Sequence, residues 1–172
     1  NQLIFNYTVL AGNMSNDLDY SNTSSLSLNG GTITDIAGNA AVVTLPAPGE
    51  TNSLGANKAI VIDTESPTIT SVTSSAIDGT YKVDDVIPIL VTFSEAVFVT
   101  DVPQITLETG ETDAIASYAS GSETTTLTFN YTVLQGHTSL DLDYVSTEAL
   151  ALNGGTILDI AQNTSVLTLP AP

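Results

Sequence analysis

One internal repeat constrains this chain more than any other feature of its sequence. Residues 1–48 align without gaps on residues 125–172 at an offset of 124, and 31 of the 48 positions are identical. A period of this length exceeds the roughly 20–50 residues of solenoid units and falls in the usual size range of a whole domain. The chain therefore holds one full period plus a second copy of its last part, and we expect domains in tandem.

The segment IDTESPTI at 62–69 predicts the boundary between these domains. Pro67 disfavours helix at Ser66 and separates two extended runs, so an extended linker is expected there. We assign residues 1–66 to the C-terminal half of one immunoglobulin-like repeat plus the linker, and residues 67–172 to a second repeat. The second repeat lacks a counterpart of NKAIVID (57–63), which we predict to be the last strand of the module.

Apolar residues alternate with polar ones along most of the chain. In TLTFNYTVL (126–134), Leu127, Phe129, Tyr131 and Val133 alternate with Thr and Asn, which is the pattern of a half-buried strand. Further extended runs are 68–74, 87–93, 102–108, 114–120, 139–144 and 165–170, and no stretch shows a sustained helical period. Seven or more short strands separated by turn residues predict an all-β fold of antiparallel immunoglobulin-like or cadherin-like sandwich modules, without significant helix.

The charge balance excludes several kinds of partner. The chain has 19 Asp and Glu against 2 Lys and Arg, a formal net charge of −17, and no Cys. Such a surface repels nucleic-acid phosphates and anionic membrane surfaces. The longest apolar runs have about six residues against the ~20 needed to span a bilayer, so no membrane insertion is expected.

Several motifs together resemble the SWM repeat of very large bacterial surface proteins. They are DGTYKVDDVI (78–87), VTFSEAV (91–97), TLTFNYTV (126–133), DLDY (141–144), LNGGTI (152–157), DIAGN (35–39) and SLGANKAIVIDTESP (53–67). That repeat is similar to other immunoglobulin-like and cadherin-like modules of giant adhesins. The resemblance implies an extracellular, non-enzymatic rod of tandem β-sandwiches for cell adhesion, surface fibres or biofilm, with calcium at the junctions.

The carboxylates are the candidate ligands for that calcium. Two Lys can partner at most two of the 19 acids, and clusters of hard oxygen ligands select Ca²⁺. The resemblance implies that a linker Asp-x-Glu, a strand-end Glu and a loop Asp and Asn meet at a junction, here Asp63, Glu65, Glu95, Asp35 and Asn39. The repeat adds the second loop copy, Asp159 and Asn163.

Alternatives remain for the loop motif and for LDLDY (140–144). DIAGN is equally well interpreted as a tight turn in which Asp35, or Asp159 in the second copy DIAQN, bonds nearby backbone N–H groups. If Gly38 adopts a positive φ, Gln162 in the second copy must strain or rearrange. The alternating Asp residues of LDLDY, and Asp17 and Asp19 in its first copy, are interpreted most simply as a solvated strand face that resists edge-to-edge aggregation.

No catalytic motif is recognised, and His137, whose repeat counterpart is Asn13, is predicted to be a turn residue. Five N-x-S/T sequons offer glycosylation sites in a secreted chain; they are Asn6, Asn13, Asn22, Asn130 and Asn163.

The leading interpretation is a calcium-stiffened spacer whose partners are neighbouring repeats of the same chain or fibre. Two rivals are a fibre subunit that NKAIVID completes by strand exchange between chains, and a carbohydrate-binding module that contacts glycans through exposed aromatic residues.

Overall fold

The computed structural model describes residues 2–172, which form two compact units, unit 1 (up to Thr64) and unit 2 (Glu65–Pro172). Secondary structure consists of a single helical turn and seven strands in the described residues. These are α1 (Leu54–Asn57), β1 (Ile69–Ser74), β2 (Val86–Thr100), β3 (Gln104–Leu107), β4 (Ala114–Ser120), β5 (Thr124–Thr132), β6 (Leu150–Ala151) and β7 (Thr156–Leu158). The prediction of an all-β chain is confirmed, whereas the arrangement as tandem sandwiches stays a prediction.

Unit 2 is built on one antiparallel sheet with the strand order β1-β2-β5-β4-β3-β6, and β7 pairs with the far end of β2. The two ends of the 15-residue strand β2 pair with different strands, because the register of β2 with β5 shifts between Thr92 and Val97. Before this irregularity β2 pairs with β1 and β5, and after it Phe98 to Thr100 pair with β7. A bulge of this kind bends a strand and increases its local twist, so the sheet curls.

The core of unit 2 follows from the alternation predicted for 126–134. Leu127, Phe129 and Tyr131 of β5 are buried, and Phe129 contacts the Tyr118 ring edge-to-face at a centroid distance of 6.0 Å. Their β2 neighbours at alternate positions, such as Val91, are buried as well. Burying each large apolar side chain contributes about 1.5–3 kcal/mol, so this pair of strands contributes substantially to the stability of unit 2.

Unit 1 contains the repeat counterpart of β5 to β7 without a regular ladder in its described residues. Among its described residues the β-bridges are isolated, Ser15 with Ile62 and Thr34 with Ala40. Its apolar residues are largely exposed: Phe5 is 73% exposed, whereas its counterpart Phe129 is 0% exposed. Residues 1–64 include no counterpart of β1 to β4, which supply the cover in unit 2.

Four sequence predictions about elements are wrong. Segments 57–63, 139–144 and 165–170 contain only single bridges, at Ile62, Tyr144 and Val166, because a strand requires a continuous backbone partner as well as an alternating sequence. Glu95 does not lie at a strand end, since β2 continues through the irregularity to Thr100.

No helix among the described residues is long and apolar enough to cross a membrane.

Candidate metal centre

Asp159 is the most buried carboxylate in the candidate metal centre of unit 2. Its side chain is 0% exposed, and both of its oxygens accept hydrogen bonds from Asn163. The Asn163 backbone N donates to Oδ1 and its Nδ2 donates to Oδ2, each at 2.8 Å. A carboxylate offers about four lone-pair positions, so two hydrogen bonds leave capacity for a cation.

The same turn occurs in unit 1, where it is exposed. Asp35 accepts from the Asn39 backbone N and Nδ2 at 2.8 Å each. The hydrogen bonds from the Asn39 side chain and then its backbone lower the pKa of Asp35. Both copies therefore have the side-chain-to-backbone turn that was one of the two interpretations of DIAGN.

Glu95 lies against the Asp159 turn although 64 residues separate them in the sequence. A carboxylate oxygen of Glu95 and one of Asp159 lie within 4.8 Å of each other, and the Glu95 side chain is half-buried. Calcium binds oxygen at about 2.3–2.6 Å, so two oxygens on one ion are separated by at most about 5 Å. The pair therefore has the spacing of two ligands of one Ca²⁺.

The start of unit 2 is held by the two elements that carry these carboxylates. Pro67 is fully buried, and its carbonyl accepts a hydrogen bond from Val166 N at 2.8 Å, three residues after Asn163. Thr68 bonds twice to the residue before Glu95: Ser94 N donates to the Thr68 carbonyl at 2.8 Å, and Thr68 N donates to Ser94 Oγ at 3.0 Å. The linker thus joins unit 2 beside the carboxylate pair.

The remaining ligand candidates are distributed between the units. Glu65 is exposed and is the first residue of unit 2, while Asp63 is half-buried and is the second-last residue of unit 1. The sequence grouped Glu95 with Asp35 and Asn39, whereas within unit 2 it is Asp159 that Glu95 approaches. The repeat register held the relevant signal, because Asp159 is the copy of Asp35 that belongs to the same unit as Glu95.

One acid that sequence reasoning missed is Asp19 in unit 1, which was interpreted as part of a solvated strand face. Asp19 Oδ2 accepts from Gly49 N at 3.0 Å and Oδ1 accepts from Tyr20 N at 2.9 Å. It ties a distant loop to the LDY motif, so the interpretation is wrong for this residue. A charged group at the surface gives no sequence signal for contacts with a loop 30 residues away.

The five sequons occupy different surroundings. Asn6, Asn22 and Asn130 are exposed, whereas Asn13 and Asn163 are half-buried. Asn13 Oδ1 accepts from Tyr7 OH and Leu10 N, and Asn163 Nδ2 donates to Asp159. A glycan is attached through the amide nitrogen, and in Asn163 this nitrogen is hydrogen-bonded to the buried Asp159. Asn163 is therefore the least suitable of the five Asn residues for glycosylation.

Fold and site define a strongly acidic, antiparallel all-β protein with a carboxylate pair that fits a calcium ion. Comparisons with protein-family models, with curated proteins and with solved structures found no match to this chain.

Proposed function

We propose that this chain is a non-enzymatic spacer of an extracellular bacterial adhesin or surface fibre, stiffened by Ca²⁺ bound at Glu95 and Asp159. The observation that carries the proposal is the approach of these two carboxylates beside the residues that anchor the linker. The extracellular setting follows from the sequence resemblance to tandem repeats of bacterial surface proteins.

The chemistry of the donor set supports calcium over other cations. The ligands are carboxylates, with amide and backbone carbonyl oxygens in the adjacent turn, and such hard oxygen donors suit Ca²⁺. With two Lys for 19 acids, the chain has little side-chain charge of its own to neutralise converging carboxylates. Bringing two carboxylates together without a cation is unfavourable, since like charges repel each other.

Glu65 is the linker acid of unit 2 and adds to the proposed site. It precedes the anchored Pro67 by two residues. An extended chain spans about 3.3–3.6 Å per residue, so the Glu65 carboxylate is within reach of an ion beside the anchor. Ca²⁺ bound this way restrains the linker, and at a hundredfold excess over Kd it stabilises the folded state against unfolding by about 2.7 kcal/mol.

Calcium titration by isothermal calorimetry tests the site. We expect the full chain to bind Ca²⁺ with a Kd on the order of 10⁻⁴–10⁻³ M, and Glu95→Gln to weaken binding by roughly tenfold or more because it removes a charged ligand while keeping its size. Glu111→Gln is the matched control, since Glu111 is an exposed loop acid. Equal affinities for Glu95→Gln and the unmodified chain would exclude Glu95 as a ligand.

Small-angle X-ray scattering tests the stiffening. Removal of Ca²⁺ with EDTA is expected to broaden the pair-distance distribution of the full chain, because the linker loses its restraint. Glu95→Gln should resemble the EDTA-treated chain even when Ca²⁺ is present. Scattering curves that coincide with and without Ca²⁺ would refute the spacer mechanism even if the ion binds.

A further inference from the structure

Unit 2 contains an open groove that the calcium proposal does not use. Its volume is about 790 Å³, and it runs between β1 with the following segment 76–81 on one side and residues 137–144 on the other. Its floor is apolar and includes Ile87, Ile89 and Tyr131 of the core. Ile87, Ile89 and Tyr131 are themselves at most 7% exposed, so the groove lies directly over the core of unit 2.

Unit 1 shows what lies at the equivalent place in the other copy of the repeat. We call residues 49–64 the strap. Ser15 and Ile62 exchange both backbone hydrogen bonds, at 2.9 and 2.8 Å, and Leu18 N donates to the Ile60 carbonyl at 2.7 Å. The strap therefore runs antiparallel along residues 15–18 of its own unit.

The first part of the strap is tied down by Asp19. The carboxylate accepts from Gly49 N. Desolvation raises the pKa of Asp19, but hydrogen bonds from Gly49, Tyr20, Ser53 and Gly55 outweigh it and lower the pKa overall. Three of these four donors belong to the strap, and Ser53 is 0% exposed. The Asp19 carboxylate thus holds residues 49–55, the loop that precedes the extended part of the strap.

Most of the receiving residues are the same in unit 2. Among the positions of unit 1 that bond the strap, Gly12, Ser15, Leu18 and Asp19 correspond at the offset of 124 to the identical residues Gly136, Ser139, Leu142 and Asp143. Asn13 corresponds to His137, but it receives Thr64 Oγ1 through its backbone carbonyl, which any residue supplies. Ser139, Leu142 and Asp143 line the groove. The groove therefore presents the acceptor and donor positions that hold a strap in the other copy.

We propose that the groove of unit 2 is a binding site for an extended segment with the sequence features of the strap. Ile60 and Ile62 share one face of such a segment by the two-residue period. In unit 1 Ile60 is 37% exposed and Val61 65%. In the groove the two Ile side chains cover the apolar floor, while Asp143 accepts the loop N–H groups. Pro172 is the counterpart of Pro48, and in unit 1 the strap follows directly after Pro48.

Extension of the full chain tests this proposal independently of calcium. A copy of residues 49–64 is appended after Pro172, and thermal unfolding and amide hydrogen exchange are measured in EDTA. We expect the unfolding temperature of unit 2 to rise by about 4–8 °C for each kcal/mol gained. We also expect slower exchange at Ser139 and Leu142, because both gain backbone partners. The matched control carries Ile60→Asp and Ile62→Asp in the appended copy only, and should show neither effect.

Each outcome bears on the proposal. Equal shifts for the appended copy and its Asp control, or no protection at Ser139 and Leu142, would overturn it. If sedimentation shows that the extended chain is a dimer whenever Ser139 and Leu142 are protected from exchange, the appended segment does not bind the groove of its own chain. The groove would then bind the segment of a second copy. A synthetic peptide of residues 49–64, titrated into the unmodified chain, should perturb the NMR signals of 137–144 saturably, and Asp143→Asn should weaken that binding. Signal changes confined to residues 12–19 would contradict the assignment to unit 2.

Discussion

At the scale of single residues, the two copies of the DIAxN turn have the same backbone conformation although one has Gly38 and the other Gln162 at the fourth position. Gly38 has φ 87° and Gln162 has φ 71°, and the hydrogen bonds that Asn donates to Asp have the same lengths in both copies. The sequence predicted that Gln162 must strain or rearrange if Gly38 has a positive φ. Gln162 keeps the turn and adopts the left-handed conformation, which costs a non-glycine residue roughly 1–2 kcal/mol.

Replacing Gln162 by Gly is therefore expected to stabilise unit 2 by about 0.5–1 kcal/mol. The gain is smaller than the conformational penalty removed, because glycine also increases the entropy of the unfolded chain. The exposed Gln162 side chain leaves few contacts to lose. Urea unfolding, followed through amide signals of β5, measures the change in the free energy of unfolding.

The reciprocal variant Gly38→Gln is the control for this prediction. It introduces the same strain into the unit 1 turn and should leave the unfolding of unit 2 unchanged. A loss of unit 2 stability in Gln162→Gly would show that the left-handed conformation at position 162 carries no penalty here.

At the scale of elements, long strands with regular pairing could be predicted from the sequence. Very short strands, and the part of β2 beyond its bulge, could not. The run 114–120 coincides with β4, and 126–134 overlaps β5, because alternation between a buried and a solvated face leaves a clear sequence signal. β6 and β7 have two and three residues, too few to show a period. The continuation of β2 past Phe93 was also missed, since a bulge interrupts the pairing that a regular period reports.

The candidate site shows the same division. Composition showed the excess of carboxylates over basic residues, and the resemblance to cadherin-like modules supplied the proposed ligand set. Which carboxylates meet depends on how β2 curls toward the 159–163 turn, a long-range contact that local sequence does not encode. The hydrogen bond that Asp19 accepts from the strap also joins residues far apart in the sequence, so it could not be predicted from local sequence.

At the scale of the whole chain, the repeat places nearly the same sequence in two different environments. FNYTVL begins at Phe5 in unit 1 and at Phe129 in unit 2, with identical residues at all six positions. In unit 2 this segment pairs with β2 and β4, whereas in unit 1 its side chains are exposed. Burial is thus decided by which elements accompany the segment and not by the segment itself.

This contrast predicts very different effects for one substitution made at two matched positions. Phe129→Ala should destabilise unit 2 by about 3–5 kcal/mol, because it removes a fully buried ring and leaves a cavity among Leu127, Tyr131 and Tyr118. Phe5→Ala should change stability by less than about 0.5 kcal/mol, since its ring is 73% exposed.

Both free energies are measurable in the full chain by urea unfolding with residue-resolved amide signals, which keeps the two units separate where a single global probe would mix their transitions. A domain is usually stable by about 5–15 kcal/mol, so the loss in Phe129→Ala should shift the unit 2 midpoint strongly while the signals of unit 1 stay in place. Comparable losses at the two positions would mean that Phe5 is buried in solution. The exposure of the unit 1 segment, and with it the contrast between the two copies, would then be wrong.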